Sequence, residues 1–272
     1  MSLKGKTIFI TGATRGIGEA IALRCAKEGA NMVITGKTKD PHPKLPGTIM
    51  SVAKAVEAAG GKALPIQLDV RDDQAIAQAV EKTIETFGQL DILVNNASAI
   101  SLTPTLETPM KRFDLMFAVN VRATFACSQA CIPHLAQAKN PHILNLAPPL
   151  NMKAKWFKDH VAYTMSKYGM SMCTLGMAEE LKAKKIAVNS LWPKTSIATA
   201  AIAVHFPKEV MQASRSPEIM ADAAYEILLS DSELNTGNFF IDEDFLRQQG
   251  VTDFAKYALN DSDKLIQDLF LD

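Results

Sequence analysis

One glycine-rich stretch near the start of the chain, Thr11-Gly12-Ala13-Thr14-Arg15-Gly16-Ile17-Gly18, restricts the possible folds most. It follows an apolar run over 7–10 and precedes a helix-patterned segment over 19–28. Glycines let the backbone approach a ligand closely, and free N–H groups at a helix N-terminus attract anions. The spacing differs from the commoner G-x-G-x-x-G fingerprint, so the flanking strand and helix carry the argument. The stretch predicts a phosphate-binding cradle; the alternative is a tight turn that binds nothing.

Strand-like and helix-like segments alternate along the rest of the chain. The predicted strands cover 7–10, 32–35, 63–68, 92–95, 142–146, 186–191 and 238–241. The later predicted helices cover 49–59, 72–87, 108–135, 161–184 and 216–229, with Pro133 expected to end or kink the third of these and a loop over 36–47. Such alternation predicts parallel strands joined by right-handed crossovers. We therefore expect an α/β fold, a doubly wound Rossmann-type sheet of about seven strands flanked by helices. It should form a single domain over 1–272.

Composition limits the partners of this domain. Of the 272 residues 47% are hydrophobic, and 29 basic residues balance 29 acidic ones. Zero net charge removes the usual electrostatic argument for nucleic acid or an anionic membrane, so a small-molecule substrate is expected. The first ten residues lack a signal-peptide pattern, and no apolar run reaches the roughly 18 residues that span a bilayer. These features predict a cytoplasmic protein with no membrane contact.

The four cysteines do not suggest a metal centre or a disulfide. Cys25, Cys127, Cys131 and Cys173 lie in apolar, helix-patterned surroundings, with no C-x-x-C motif and no histidine at ligand spacing. Free cysteine behaves as a small buried hydrophobe in such settings. We expect buried thiols and no metal site.

Tyr163 and Lys167 are the clearest candidates for chemistry. Four residues apart on a predicted helix, their side chains share one face. A phenol with a reference pKa of about 10 is a poor acid or base near neutrality, and a nearby ammonium lowers that pKa. The pair therefore predicts a proton donor and acceptor, although a surface helix can supply Tyr-x-x-x-Lys by chance. Asn120, inside another predicted helix, is either functional or a hydrogen-bonded core amide.

The cradle, the Tyr163-x-x-x-Lys167 pair and three further motifs resemble the ordered motifs of the short-chain dehydrogenase/reductases over most of the chain. The further motifs are Asp69-Val70, Asn95-Asn96-Ala97 and Asn189-x-x-Trp192-Pro193. The resemblance implies hydride exchange with a nicotinamide cofactor while Tyr163 exchanges a proton with the substrate oxygen. It implies that Lys167 also binds the nicotinamide ribose and that Asn120 supports a water-mediated proton path. A homodimer or homotetramer through the long helices is implied as well.

The same resemblance implies where the cofactor binds. Asp69 and Val70 would contact the adenine, and Asn96 would hold the backbone beside the cofactor. Ile197 and Thr199 would clamp the nicotinamide carboxamide, although the Pro-Gly that precedes this clamp in the family is Pro193-Lys194 here. The expected cradle residues are Gly12, Thr14, Arg15, Gly16, Ile17 and Gly18.

The end of the second predicted strand indicates which cofactor is preferred. An acidic side chain there would bind a free ribose 2′-hydroxyl, but Gly36 and Lys37 occupy the place. Arg15 can reach a 2′-phosphate with its planar guanidinium. Two cations and no carboxylate favour NADP(H) over NAD(H). Lys39 and Lys44 could add to this positive field or simply be solvated.

A serine expected from the resemblance is missing. Family members place a serine about thirteen residues before the tyrosine, where its hydroxyl polarises the substrate carbonyl. Here that position is Leu150, after Ala147-Pro148-Pro149. Losing such a donor often lowers kcat by about 10²–10³. Asn151 or Asn145 could replace it, with Asn151 on the loop side; a backbone or water donor and weak catalysis are the alternatives.

Two loop regions are expected to shape the substrate pocket. Residues 152–160 place Trp156 and Phe157 among lysines, and the lid over about 194–216 is apolar over 197–206. An apolar floor with basic edges suits a hydrophobic molecule with an anionic group, such as a fatty acyl or sterol derivative. His160 and His205 are expected to be structural or surface residues, and 242–272 a C-terminal extension.

Two functions are consistent with these residues. The first is an NADP(H)-dependent oxidoreductase that interconverts a carbonyl and a secondary alcohol on a lipid- or steroid-like molecule. The second is an NADP(H)-binding protein with little or no turnover, acting as a redox-linked regulator or assembly partner. The missing serine favours the second.

Overall fold

The centre of the molecule is one parallel sheet. The computed structural model describes residues 1–41, 46–260 and 264–272. The strands are Thr7–Ile10 (β1), Asn31–Gly36 (β2), Lys62–Gln67 (β3), Ile92–Asn95 (β4), His142–Asn145 (β5), Ala187–Trp192 (β6) and Phe239–Ile241 (β7). Their order is β3-β2-β1-β4-β5-β6-β7, and every neighbouring pair is parallel. The order reverses between β1 and β4, which opens a crevice at the carboxyl ends of these strands. The predicted doubly wound α/β fold is confirmed.

Helices cover both faces of the sheet. They are Gly16–Ala26 (α1), Ile49–Ala58 (α2), Asp73–Phe87 (α3), Met110–Met116 (α4), Ala123–Leu135 (α5), Val161–Glu180 (α6), Ala200–His205 (α7), Lys208–Gln212 (α8), Glu218–Leu229 (α9) and Asp242–Gln248 (α10). The cluster with α1, α2 and α9 takes Ile8 and Ile10 from β1, whereas the cluster with α3, α5 and α6 takes Phe9. Successive strand side chains point to opposite faces, so a sheet covered on both sides needs uninterrupted apolar strands. The apolar runs seen in the sequence meet this requirement.

The region predicted as one helix over 108–135 has a different backbone in its middle. Between α4 and α5, residues Phe117–Arg122 form a π-helical segment in which the Ala123 amide bonds to the Ala118 carbonyl. Pro133 lies inside α5, which continues to Leu135. A proline so close to a helix end removes few hydrogen bonds, so it does not stop the helix at once. Similarly, α6 ends at Glu180, and Lys182–Lys184 is a separate 3₁₀ turn.

The continuous helix over Met110–Leu135 is long and apolar enough, by length and composition, to cross a bilayer. Its best window has a mean hydropathy of 1.3 but contains the polar residues Asn120 and Arg122, so it is not an unbroken apolar run. The helix reaches 26 residues because the π segment joins α4 and α5. A core helix of a soluble protein passes the same test, and this one packs against α3 and α6.

The cysteines are free thiols. Cys25, Cys127 and Cys131 are buried, and Cys173 is partly buried. Burial raises the pKa of Cys25 and of Cys127 to about 12, which makes both unreactive near neutrality. In the parts of the chain that the structure describes, no cluster of three or more His, Cys, Asp or Glu side chains could hold a metal ion.

Candidate active site

The glycine-rich turn after β1 makes short contacts with the loop after β4. Gly12 and Gly16 have φ values of +66° and +60°, which favour glycine. A Cβ at Gly18 would lie 2.5 Å from the Asn96 amide nitrogen, and one at Gly12 would lie 2.9 Å from the Ala97 Cα. The side-chain amide of Asn96 donates to the Thr11 and Gly12 carbonyls at 3.0 and 2.9 Å. Asn96 therefore holds the turn in shape, and only glycine fits beneath it.

A cleft of about 730 Å³ opens above this turn at the carboxyl ends of the strands. Ten of the residues predicted to bind cofactor line it: Gly12, Thr14, Arg15, Gly16, Ile17, Lys37, Asp69, Val70, Asn96 and Thr199. Among the described residues no side chain caps the N-terminus of α1, so its first amides are free for an anion. Gly18 lies beneath the turn. The volume of the cleft, the glycines of the turn and the free amides at the start of α1 together suit a dinucleotide.

The far end of the cleft carries the residues expected to select the cofactor. The Arg15 guanidinium donates to the Thr38 hydroxyl at 3.1 Å and to the Pro46 carbonyl at 2.8 Å. Lys37 is mostly exposed, 4.0 Å from an oxygen of Asp69. Asp69 itself pairs with Arg71 at 2.5 Å, and this hydrogen bond lowers its pKa. Thr38 and Arg71 were missed from the sequence because neither belongs to a motif, and Lys44 lies outside the described residues.

Tyr163 and Lys167 line a second chamber of about 410 Å³. It shares Ile17, Asn96 and Thr199 with the first cleft, so the two spaces adjoin. Both side chains are buried, at 5% and 2% exposure. The Lys167 ammonium donates to the Leu146 carbonyl at 2.6 Å and lies 5.0 Å from the centre of the Trp192 ring. Ile197 also lines this chamber.

The electrostatics of this pair differ from the prediction. Burial lowers the pKa of Lys167 to about 7, and the Asp268 carboxylate opposes that shift. Burial also raises the pKa of Tyr163, and Asp268 raises it further. Burial thus acts against the expected lowering of the Tyr163 pKa, and the effect of Lys167 on this phenol stays a prediction. Tyr163 is a protonated phenol at neutral pH, which suits a proton donor.

Asn120 lies in the π segment and is completely buried. Its amide nitrogen donates to the Ala99 carbonyl and to the Ser166 hydroxyl, both at 2.9 Å, and its amide oxygen accepts from the Ala99 amide at 2.8 Å. The side chain thus ties the loop after β4 to α6, the helix of Tyr163. These contacts are the ones expected of a hydrogen-bonded core amide. The proton path through Asn120 stays a prediction.

The proposed substitutes for the missing serine do not reach the chamber. The Asn151 amide donates to a carboxylate oxygen of Asp272 at 2.8 Å, and Asn151 does not line the chamber. Asn145 is buried and donates to the Thr174 hydroxyl at 2.8 Å. The suggestion that Asn151 replaces the serine is therefore corrected, because the amide binds the Asp272 carboxylate instead. Leu150, at the serine position, packs in the aromatic cluster around Phe270.

The 264–272 segment covers one side of the chamber, which no sequence motif indicated. Phe270 is fully buried, and its ring centre lies 6.2 Å from that of Tyr163 and 5.7 Å from that of Trp192. The Trp192 indole donates to the Leu269 carbonyl at 2.9 Å. Four residues of the segment line the chamber together with Tyr163 and Lys167: Ile266, Gln267, Asp268 and Leu269. The extension over 242–272 thus contributes to the candidate site.

Comparison with known proteins agrees with this geometry. The family model described as short chain dehydrogenase matches residues 6–207, three quarters of the chain. The chain belongs to the short-chain dehydrogenase family. This confirms the resemblance seen in the sequence. Members are oxidoreductases that use a nicotinamide cofactor, which the adjoining cleft and chamber can accommodate.

Relatives within the short-chain dehydrogenase family cover nearly all of this chain. Hydroxysteroid dehydrogenase-like protein 2 of Danio rerio is 60% identical to this chain, and the match covers 99% of the chain and 65% of the relative. The Homo sapiens protein is 57% identical, and the match covers 99% of the chain and 64% of the relative. The chain thus spans less than two thirds of these curated relatives. A candidate dehydrogenase from Xanthomonas campestris is 52% identical, with a TM-score of 0.97 over 100% of both chains. A short chain dehydrogenase from Mycobacterium thermoresistibile is 52% identical, with a TM-score of 0.94 over 100% of this chain and 96% of its own.

The region over 194–216, predicted as a lid in this short-chain dehydrogenase, carries α7 and α8. Thr199 accepts a hydrogen bond from the Ile202 amide and so caps α7, and Ile197 is buried. At the base of the region Arg215 pairs with Glu243, and the Lys194 amide donates to Asp242. Lid residues Ile202, Phe206 and Val210 give the chamber an apolar wall.

The basic edge predicted for the pocket does not face the chamber. Lys153 and Lys155 both bind Asp272 at 2.8 Å, and neither lines the chamber. Trp156 and Phe157 likewise pack beneath the 264–272 segment, against Phe270 and Tyr168 respectively. The argument for an anionic substrate group is therefore corrected: Asp272 engages Lys153 and Lys155, and Lys158 lies 4.0 Å from an Asp159 oxygen and does not line the chamber.

Of the two histidines that the sequence singled out, His160 is described in full. The His160 imidazole bonds to the Thr164 hydroxyl at 2.9 Å and packs edge-on against Phe270. This is the structural role expected for His160. The side chain of His205 lies outside the described part of the structure.

Proposed function

We propose that this chain is an NADP(H)-dependent oxidoreductase that interconverts a carbonyl and a secondary alcohol on an apolar small molecule. One observation carries the proposal: the chamber with Tyr163 and Lys167 shares Ile17, Asn96 and Thr199 with the cleft above the glycine turn. An ionisable hydroxyl thus adjoins a site suited to a dinucleotide. Members of a dehydrogenase family need this arrangement, because proton and hydride must reach neighbouring substrate atoms.

The roles of the chain's own residues follow from their contacts. In reduction, the Tyr163 hydroxyl gives its proton to the substrate oxygen, and in oxidation the phenolate takes it back. Lys167, held by the Leu146 carbonyl, supports the phenolate and binds the ribose. The bound nicotinamide supplies or accepts the hydride. Asn120 fixes the loop before the chamber to α6.

The preference for NADP(H) rests on charge at the adenine end of the cleft. Arg15 and Lys37 line it, Thr38 adds a hydroxyl, and Gly36 leaves no carboxylate at the end of β2. The nearby Asp69 is neutralised by Arg71. A 2′-phosphate would find two cations and a hydroxyl there, which favours it over a free hydroxyl.

The apolar chamber supports a hydrophobic substrate. Its apolar lining includes Ile100, Leu146, Trp192, Ile202, Phe206, Val210, Met220 and Leu269. Burial of apolar surface contributes roughly 25 cal/mol per Å², so a lipid- or steroid-like molecule would gain most from this lining. The relatives' name, hydroxysteroid dehydrogenase-like, agrees with that class. The 194–216 region would act as the lid over it.

Assembly and location are proposed with the same function. Phe125 on α5 and Met172 and Leu175 on α6 are each more than half exposed. Exposed apolar side chains on neighbouring helices support a homodimer or homotetramer through these helices. We propose a cytoplasmic enzyme whose partner is a small molecule, with neither nucleic acid nor membrane involved.

The test combines cofactor binding with turnover. Fluorescence titration should give a lower Kd for NADPH than for NADH, and a screen of apolar ketones and aldehydes should show NADPH depletion. Tyr163→Phe keeps the buried ring and removes the proton, so kcat should fall by about 10²–10⁴ with NADPH binding retained. Binding without turnover on any carbonyl would favour the second function, a redox-linked regulatory or assembly protein. The absence of a serine between Ser128 and Tyr163 is the observation that supports this alternative.

A further inference from the structure

The proposed reaction uses Tyr163 as the proton donor in the chamber. A second hydrogen-bond donor to the substrate oxygen has no residue assigned to it yet. When a carbonyl is reduced, negative charge develops on its oxygen, and a second hydrogen-bond donor stabilises it. The loop after β5 offers no side-chain donor, because Leu150 is packed among aromatic rings and Asn151 is bound to Asp272. The donor must therefore come from elsewhere in the chamber or from backbone or water.

Most polar side chains that line the chamber are engaged. The Asn96 amide supports the glycine turn, and Gln267 donates to the Asp272 carbonyl at 3.2 Å. The Ser196 hydroxyl accepts a hydrogen bond from the Ser214 hydroxyl at 3.0 Å. The Thr199 hydroxyl accepts one from the Ile202 amide at the start of α7. Ser98 is exposed and lies where the chamber joins the cofactor cleft.

Asp268 also lines the chamber and, unlike the exposed Ser98, is only partly exposed. One carboxyl oxygen accepts from the Leu269 amide at 2.7 Å, and the other has no hydrogen-bond partner among the described residues. No cationic nitrogen in the described ranges lies within 4.0 Å of it, so no salt bridge holds it ionised. Asp268 nevertheless influences both Tyr163 and Lys167 electrostatically. A carboxyl group thus shares the chamber with the phenol and has an oxygen to spare.

The backbone around Asp268 is firmly placed. Its amide donates to the Lys194 carbonyl at 3.1 Å, and the adjacent Gln267 forms a β-bridge with Thr195. On the other side, Phe270 is fully buried. Fixed donors are effective because they need no reorganisation during the reaction.

Burial also favours the neutral form of this acid. It raises the pKa of Asp268 to about 7, and the Asp242 carboxylate adds to the shift, while the Leu269 amide and the Lys167 ammonium oppose it. Tyr163 and Lys167 also line the chamber and titrate: burial keeps the phenol protonated near neutrality and lowers the pKa of Lys167 to about 7. Below about pH 7 the carboxyl therefore carries the proton that a hydrogen-bond donor needs.

We propose that Asp268, as the neutral acid, donates a second hydrogen bond to the substrate oxygen that Tyr163 protonates. This rests on the proposed oxidoreductase function. In reduction, hydride from the reduced nicotinamide forms the new C–H bond, the carbonyl π bond breaks, and its electron pair takes the Tyr163 proton, leaving a phenolate. Asp268 keeps its own proton throughout and only stabilises the charge on oxygen.

The decisive experiment compares two substitutions in the full chain. Asp268→Asn keeps a neutral donor of similar size, whereas Asp268→Ala removes it. With NADPH and a carbonyl that the wild-type chain reduces, we expect kcat to fall about 10²-fold in Asp268→Ala and less than about 10-fold in Asp268→Asn. The wild-type kcat should fall as pH rises through about 7, where Asp268 and Lys167 both lose their protons, and Asp268→Asn should lose the part of that fall that comes from the carboxyl group. Asp253→Ala, at an exposed aspartate, is the matched control.

Several outcomes would overturn the proposal. Equal losses in both variants would mean that the charge of Asp268 matters and not a donated hydrogen bond. Unchanged activity in both, or a loss confined to Ser98→Ala, would assign the donor elsewhere. NADPH titration of each variant verifies that it is folded.

A second measurement does not depend on turnover. Carbon-13 NMR of aspartate-labelled protein, with Asp268→Asn for assignment, should show the Asp268 carboxyl titrating near pH 7. A value below about 5 in an active enzyme contradicts this inference alone, since such an acid is ionised at neutral pH. A wild-type chain that binds NADPH but reduces no carbonyl contradicts the proposed function, and the inference with it.

Discussion

The glycine turn at 11–18 and the chamber around Tyr163 lie at the same edge of the sheet but are built differently. The turn is contiguous, and its main outside support is Asn96 from the loop after β4. The chamber is assembled from α6, the end of β6, the lid and the 264–272 segment. A contiguous site depends on local backbone conformation, whereas an assembled one depends on where distant segments pack. The two should therefore fail separately when they are mutated.

The largest effect is expected when the assembled chamber loses its central ring. Phe270→Ala removes a fully buried aromatic side chain, a change that typically lowers the free energy of unfolding by about 3–5 kcal/mol. Turnover should be lost while NADPH still binds the glycine turn, as urea unfolding and fluorescence titration would show. Leu234→Ala, at an exposed leucine, should change stability by less than about 0.5 kcal/mol. Equal loss of NADPH binding in Phe270→Ala would contradict the separation.

Two groups in the chamber should contribute to the pH dependence of stability. Asp268 has a pKa raised from 3.8 to about 7, so the native state holds more protons than the unfolded state in this window, and stability falls as pH rises from about 4 to 7. Lys167 has a pKa lowered from 10.5 to about 7, so stability rises from about pH 7 to 10. Each slope is at most about 1.4 kcal/mol per pH unit.

Urea unfolding at a series of pH values checks these slopes. Asp268→Asn should flatten the acidic side of the minimum, and Lys167→Met the alkaline side. Gly18→Ala, in the turn, should leave both slopes in place. Slopes that are the same in Asp268→Asn and Lys167→Met as in the wild-type chain would show that neither group is shifted as described.

A smaller effect is expected from crowding the turn. In Gly18→Ala the new methyl would lie 2.5 Å from the Asn96 amide nitrogen and 2.8 Å from the Gly12 carbonyl, so the turn must shift. Such overpacking costs about 1–3 kcal/mol, and NADPH Kd should rise by about tenfold or more. Gly176→Ala on α6 meets no atom within 4 Å and serves as control, with a small gain in stability. Unchanged NADPH affinity in Gly18→Ala would remove the turn from the cofactor site.

The smallest effect concerns cofactor choice at the far end of the cleft. Lys37→Asp replaces an exposed cation with an anion that would repel a 2′-phosphate. The NADP/NAD ratio of kcat/KM should fall by about tenfold, the size of one charge-assisted hydrogen bond. Lys39→Asp, in the same loop and also exposed, should change the ratio less. An unchanged ratio in Lys37→Asp would reject the assignment of Lys37 to the phosphate.

The sequence predicted ten residues that line one cleft and the pair Tyr163 and Lys167 that lines the adjoining chamber, and their binding and catalytic roles stay predictions. It did not predict the environment of that pair, because desolvation depends on the residues that cover them. It misplaced Asn151, whose neighbours in the chain do not reveal that Asp272 lies beside it. The π segment around Asn120 was also missed, since the residues 108–135 have an ordinary helical pattern.

The sequence by itself determined the alternation of strands and helices, the glycine turn and the spacing of Tyr163 and Lys167. These features follow from backbone conformation and side-chain periodicity, which adjacent residues specify. Only the tertiary structure decided that Phe270 packs against Tyr163 and that Asp268 lines the same chamber, although both residues follow Tyr163 by more than 100 positions. Contacts over such separations depend on how the whole core packs, and packing brings together residues that no local pattern relates.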